Sequence, residues 1–203
     1  MPALHPFQLT DGAPTREGIA LQPVPGAANA VRVALPAEGG HLHFRGPAAS
    51  GDTWPHDGVL SLDVYHELPL TLAVQFLFGE AEDAEAVIRV NAGVLPFVRT
   101  RVLFPLSALN AETVFIPRTP GRLKMVVSGR PTSVERVAWV RVGVGVLGEP
   151  GSVELRDLQV LPQPEVRRPE GPVVVDALGQ WTARHWPGKT SSPEALCDRL
   201  RAA

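Results

Sequence analysis

Apolar and polar residues alternate along most of the first 162 positions of the chain. Val31, Val33 and Leu35 alternate with small or charged residues, and the same period of two continues through residues 58–67 and 69–80. Because successive side chains of a strand point to opposite faces, this period predicts β-strands with one buried face. Further segments of this kind are 86–90, 97–106, 113–117, 122–129, 134–148 and 153–162. Together they predict about ten strands.

The spacing of these strands predicts how they are arranged. Few segments between them are long enough for a helical crossover, so parallel βαβ winding is disfavoured and an all-β fold of two stacked antiparallel sheets is expected. We therefore predict a two-sheet antiparallel β-sandwich, a jelly roll or a close relative. In residues 153–162 the apolar alternation changes phase, which predicts a β-bulge near Arg156 and Asp157. Residues 104–110 predict a short helical turn.

Composition divides the chain into four parts. Proline, arginine and glutamate replace the alternating pattern after Leu161, as is typical of a linker. We predict an N-terminal arm at 1–13, the sandwich at 14–162, the linker at 163–174 and a junction segment at 175–203. A short C-terminal helix is expected in that segment, with Ser192 as its N-cap and Pro193 in its first turn.

Charge and cysteine content narrow the class of protein. The formal net charge is -2, so no strong positive field favours nucleic acid or an anionic membrane. The single cysteine, Cys197, excludes an internal disulfide framework. The first residues lack a basic segment followed by an apolar one, so no secretory signal is predicted and a cytoplasmic location is expected.

The sequence contains few groups with recognisable chemistry. It has no nucleophile elbow, P-loop or zinc-protease motif. His41 and His43 share one face of a predicted strand and are either the beginning of a metal site or structural histidines. His56 and Asp57 resemble half of an acid–base pair, but a turn in which Asp57-Gly58 supplies the backbone geometry is the favoured interpretation.

One strand has the composition of a binding platform. Residues 138–145 place Trp139, Arg141, Gly143 and Gly145 on one face and apolar residues on the other. Sugars stack on tryptophan and form hydrogen bonds to arginine or amide side chains, so this face favours a carbohydrate. In the alternative, Trp139 is covered by a neighbouring segment and the glycines relieve crowding. The ligand-binding candidates are Trp139, Arg141, Gln75, Trp54 and His56.

The C-terminal segment carries a resemblance to a known family. Residues 175–196 resemble the segment that joins a galactose-binding-like sandwich to a catalytic barrel in bacterial agarase-like glycoside hydrolases, and residues 95–109 resemble part of that sandwich more weakly. The matching residues are Asp176, Gly179, Gln180, Trp181, Trp186, Pro187, Gly188, Lys189, Thr190, Ser192 and Leu196.

The resemblance implies a galactose-binding-domain-like sandwich and a non-catalytic role, since the family's catalytic residues lie on the barrel. It implies a carbohydrate-binding-like accessory domain of a glycoside hydrolase, with an oligo- or polysaccharide as ligand. The alternatives are a structural or interaction sandwich that positions a hydrolase without binding sugar, and a stand-alone enzyme. No cofactor is expected. A structural calcium ion, common in sandwiches of this type, is compatible with the fold if carboxylates and backbone carbonyls meet on a loop, although the sequence does not identify its ligands.

The resemblance also assigns the junction residues a partner. Asp176, Gln180, Trp181, Trp186 and Lys189 are expected at an interdomain junction with a hydrolase catalytic domain. Exposed tryptophans in this segment would also favour self-association.

Overall fold

A computed structural model describes residue 3, residues 5–110 and residues 125–162. The chain divides into two compact units, and all of the described residues belong to the first. The strand predicted at 113–117, the linker at 163–174 and the junction segment at 175–203 lie outside the described residues. So do the predicted junction residues, which are Asp176, Gln180, Trp181, Trp186 and Lys189.

The described residues are almost entirely strand and loop. Their strands are β1 His5–Pro6, β2 Ala13–Pro14, β3 Ala20–Pro23, β4 Ala30–Leu35, β5 Gly40–Arg45, β6 Val59–His66, β7 Leu72–Gly79, β8 Ile88–Val94, β9 Thr100–Pro105, β10 Met125–Gly129, β11 Trp139–Val144 and β12 Gly151–Leu161. Their helices are α1 Pro47–Ser50 and three 3₁₀ turns at Leu9–Asp11, Leu106–Asn110 and Val134–Arg136. Within these parts of the chain, no helix has the length and apolar character that crossing a bilayer requires.

The strands form two antiparallel sheets. The front sheet has the order β10-β8-β7-β11-β5-β2. The back sheet has the order β3-β4-β12-β6-β9, with β1 also paired to β12. The prediction of a two-sheet antiparallel sandwich is therefore confirmed.

The core lies between the two sheets and is built by the predicted alternation. Val140, Val142 and Val144 of β11 are buried on the front sheet, and Leu60 and Leu62 of β6 are buried on the back sheet. Each such side chain contributes about 1.5–3 kcal/mol when it leaves water. Burial of one face of each strand therefore fixes which side chains face outward.

The predicted bulge is present in β12. The register with β6 shifts between Arg156 and Gln159, and Asp157 has a φ of 51°. Its amide donates to the carbonyl of Asn29 at 3.1 Å instead of to the sheet. The bulge allows Leu155 and Leu158 both to be buried although they are three residues apart.

Residues 5–13, which belong to the N-terminal arm predicted at 1–13, contribute strands to the sandwich. Strand β1 pairs with β12 of the back sheet, and β2 pairs with β5 of the front sheet. Phe7 and Leu9, between these strands, are 5% and 1% exposed. Burial of these two apolar side chains stabilises the packing of the N-terminal segment against the sandwich.

Candidate functional site

Two rows of side chains cross the outer face of the front sheet. Within each row, the strand register places residues of β10, β8, β7, β11 and β5 opposite one another on neighbouring strands. The first row is Val126, Asn91, Gln75, Gly143 and His41, and the second row is Ser128, Arg89, Leu77, Arg141 and His43. We call these ten residues the front face.

The first row contains a continuous chain of hydrogen bonds. Gln75 Nε2 donates to Asn91 Oδ1 at 2.8 Å, and His41 Nε2 lies 2.9 Å from Gln75 Oε1. Because the Gln75 carbonyl oxygen can only accept, the His41 proton is on Nε2. His41 and Gln75 are on strands β5 and β7, which β11 separates, and they meet above Gly143, where no side chain intervenes.

The second row is organised around Trp139 and Arg141. Trp139, just beside this row on β11, is 1% exposed and donates its indole N–H to the carbonyl of Ala81 at 2.8 Å. The Arg141 guanidinium lies 4.2 Å from the centroid of the Trp139 ring, and its Nε donates to His43 Nδ1 at 3.2 Å. Of the two alternatives for Trp139, the covered ring is the one observed. Arg141 forms the outward surface at this position and is itself held by a cation–π contact.

The two histidines of the front face favour their neutral forms. Burial lowers the pKa of His41, and the positive charges of Arg141, Arg16 and Arg89 lower it further, against the hydrogen bond that His41 donates to Gln75, which raises it. Burial and the charge of Arg141 likewise lower the pKa of His43. At neutral pH both rings therefore act as neutral donors and acceptors.

Among the residues that the structure describes, the histidine pair has no third metal ligand. Within residues 5–110 and 125–162, no three His, Cys, Asp or Glu side chains converge as a metal ion requires. His41 instead forms a hydrogen bond with Gln75, and His43 forms one with Arg141. A structural calcium ion stays a prediction.

The five predicted ligand-binding residues do not come together. Gln75 and Arg141 lie on the front face with Trp139 beneath Arg141. Trp54 is 3% exposed and packs in the core, 5.6 Å from Phe7 between ring centroids. His56 lies on the exposed loop before β6 and pairs with Glu135 at 2.7 Å.

Sequence analysis missed Asn91. The strand predicted at 86–90 stops four residues before the end of β8, which includes Asn91 and continues to Val94. The alternation of buried Val90, Ala92 and Val94 was the available signal, but Asn91 and Gly93 both have low strand propensity.

Comparison with known proteins identifies the fold. No family model and no curated protein matches the chain. A family 11 carbohydrate-binding module from Clostridium thermocellum, solved in complex with a β-1,3-1,4-mixed-linked tetrasaccharide, is 10% identical with a TM-score of 0.50, over 77% of this chain and 94% of the module. The chain has the β-sandwich fold of a carbohydrate-binding module.

The same carbohydrate-binding-module fold occurs in larger proteins. An exo-β-agarase is 10% identical with a TM-score of 0.52, over 79% of this chain and 25% of the agarase. PfGH50B is 10% identical with a TM-score of 0.55, over 99% of this chain and 30% of that protein. The chain thus spans less than a third of the length of these two proteins. The predicted resemblance to the sandwich of agarase-like hydrolases is confirmed at the level of the fold.

Proposed function

We propose that this module-like sandwich is a non-catalytic accessory domain of a glycoside hydrolase and that its front face binds an oligo- or polysaccharide. The observation that carries the proposal is the hydrogen-bonded chain from His41 through Gln75 to Asn91 on the open face of a sheet. Its internal bonds run in one direction, which leaves His41 Nδ1 as an acceptor and the Asn91 amide nitrogen as a donor.

These groups suit the hydroxyl groups of a sugar. A hydroxyl both donates and accepts, and the row offers an acceptor at one end and a donor at the other. From β5 to β8 the row crosses three strand spacings, or about 14 Å, which is longer than one sugar ring. Arg141 adds guanidinium donors beside the row.

The likeness of fold supports this ligand class. The family 11 module holds a β-1,3-1,4-mixed-linked tetrasaccharide, and two of the larger proteins of similar fold are the exo-β-agarase and PfGH50B. An agarose-type chain is therefore the first ligand to test, and a β-glucan is the second.

A second candidate function has an observation of its own. Neither row of the front face carries an exposed Trp, Tyr or Phe, because the Trp139 ring is covered by Arg141. A sandwich that positions a hydrolase without binding sugar needs no such ring. In this alternative the front face is a polar protein interface.

Affinity electrophoresis and calorimetry with agarose oligosaccharides, xylohexaose and the mixed-linked tetrasaccharide distinguish the two functions. We expect selective binding of one of these ligands, and Gln75→Ala and Asn91→Ala to weaken it about tenfold each, since each loses one or two hydrogen bonds. Gln8→Ala, which removes an exposed amide elsewhere, is the matched control and leaves binding unchanged. If the intact protein binds none of the ligands, with or without calcium, the positioning function replaces the proposal.

A further inference from the structure

The back sheet carries a depression of its own on its outer face. Its volume is about 230 Å³, and it lies where β6 ends and β12 begins. Its lining residues are Arg32, Tyr65, His66, Glu67, Ser152 and Glu154. We call it the back depression.

Glu154 provides a charged group at this site. Among the described residues, its hydrogen bonds all go to Oε1, which leaves Oε2 able to accept one from a ligand. The residue is 7% exposed. Its Oε1 accepts from Arg156 Nε at 2.6 Å and from Arg99 Nη2 at 3.0 Å. Arg32 Nη2 lies 3.8 Å from Oε2, which is too far for a hydrogen bond.

The ionised form of Glu154 is favoured. Burial raises the pKa of this carboxyl, but the hydrogen bonds and charges of Arg156 and Arg99 outweigh burial and hold it below its ordinary value. At neutral pH, Oε2 is therefore a charged acceptor, and Arg32 Nη2 is a charged donor 3.8 Å from it. A hydroxyl group placed between them would donate to the first and accept from the second.

The rim adds both an aromatic surface and further polar groups. The Tyr65 hydroxyl donates to Glu67 Oε1 at 2.9 Å, and the Arg99 guanidinium lies 5.9 Å from the centroid of the Tyr65 ring. A backbone hydrogen bond holds the loop after β8 next to the depression. In it, the Phe97 amide donates to the carbonyl of His66, a lining residue, at 2.8 Å. Phe97 is 66% exposed and has a φ of 60°, an uncommon backbone conformation for a bulky residue that costs free energy to hold.

The lining decides which ligand chemistry fits. An anion would meet the carboxylates of Glu67 and Glu154, and a cation would meet the guanidiniums of Arg32 and Arg99. A neutral polyol has groups that donate to the carboxylates and accept from the guanidiniums. The volume is below the roughly 300–1,000 Å³ of pockets for drug-sized ligands, so it accommodates a single ring rather than a chain.

We propose that the back depression is a second sugar site, which holds one neutral sugar ring through a hydroxyl bridging Glu154 Oε2 and Arg32 Nη2. The ring is a free monosaccharide or the terminal residue of an oligosaccharide. This site lies on the opposite sheet from the front face and does not depend on the front face binding sugar.

The test is a titration of the ¹⁵N-labelled protein with D-galactose, D-glucose and D-xylose, followed by NMR. We expect saturable shifts of the Tyr65, Ser152 and Glu154 amides with one of these sugars and a dissociation constant of about 1 mM, typical of a small contact area. Arg32→Ala should weaken this binding about tenfold. The fold should be retained, because Arg32 is largely exposed and forms no hydrogen bond to Glu154.

Matched variants separate this proposal from the proposed function. Gln75→Ala on the front face should leave the shifts around Ser152 unchanged, and Arg32→Ala should leave oligosaccharide binding at the front face unchanged. The absence of saturable shifts around the depression with all three sugars overturns the second site and leaves the front face untouched. Shifts there that appear with sodium sulfate or galacturonate but not with neutral sugars also overturn it, because they identify an anion site.

Discussion

Gly79 permits the Trp139 indole to lie directly across strand β7. A Cβ atom at this position would be closer to the indole ring than any real contact allows. The ring therefore occupies the space that a side chain would take, reaches the carbonyl of Ala81 and presents its outer side to Arg141. One glycine thus determines the position of the guanidinium on the front face.

Gly79→Ala should destabilise the protein by about 1–3 kcal/mol, since the added methyl group forces the packed indole to move. The same substitution should weaken oligosaccharide binding, because Arg141 loses its support. Urea unfolding and calorimetry measure the two effects. Gly145→Ala is the matched control for stability alone, since its Cβ would approach only the end of the Gln75 side chain, at 3.2 Å, and Gln75 belongs to the proposed binding row. Equal stability of the two variants would contradict this account.

At the scale of the element, most strands could be predicted and the site could not. The period of two identifies the buried faces of β4, β6, β7 and β11, and the change of phase in residues 153–162 identifies the bulge in β12. These are local signals. The hydrogen bonds from His41 to Gln75 and from Gln75 to Asn91 join residues 34 and 16 positions apart. They depend on strand register, which the local pattern does not specify.

For Trp54 and Trp139, the local sequence pattern does not predict whether the ring is exposed. Alternation assigns Trp139 correctly to the outer face, but the ring is covered by Arg141, its neighbour on the same face. Trp54 lies outside any strand, so no period indicated that it packs against Phe7. Whether an aromatic ring is open to a ligand depends on tertiary contacts.

The bulge of β12 requires a left-handed residue at Asp157, where φ is 51°. Asp157→Val should destabilise the protein by about 1–2 kcal/mol, because β-branched residues are strained in this conformation. Asp157→Gly, which adopts it freely, should remain within about 1 kcal/mol of the native protein. Thermal unfolding of the pair provides the measurement. If the valine variant is as stable as the glycine variant, backbone conformation does not determine the bulge.

At the scale of the whole molecule, the described ionisable groups with shifted pKa values make stability depend on pH. The pKa values of His41 and His43 are lowered from 6.5 on folding. Between the folded and unfolded pKa values, the unfolded chain binds more protons than the folded protein. Their contribution to stability is therefore complete above pH 6.5 and falls as the pH decreases below it.

Urea unfolding should accordingly show a smaller free energy of unfolding at about pH 5.5 than at about pH 7.5. His41→Gln should reduce this difference, because its amide can still donate to Gln75 without titrating. Gln8→Ala, which removes an exposed side chain that does not titrate, is the control and should leave the difference unchanged. Below pH 4.5 a further loss is expected from Glu80 and Glu154, whose pKa values are lowered. A free energy of unfolding that is independent of pH between 7.5 and 5.5 would refute the burial of neutral histidines.

Strand β1 pairs with the end of β12, with His5 opposite Val160. The two ends of the sandwich are therefore adjacent, at the corner where β6 starts, and the back depression lies about 25 Å away at the other end of that strand. Polypeptide joined before β1 and after β12 would leave from one corner. Adjacent ends are the property that lets a domain be inserted into a longer chain with little displacement of the segments it joins.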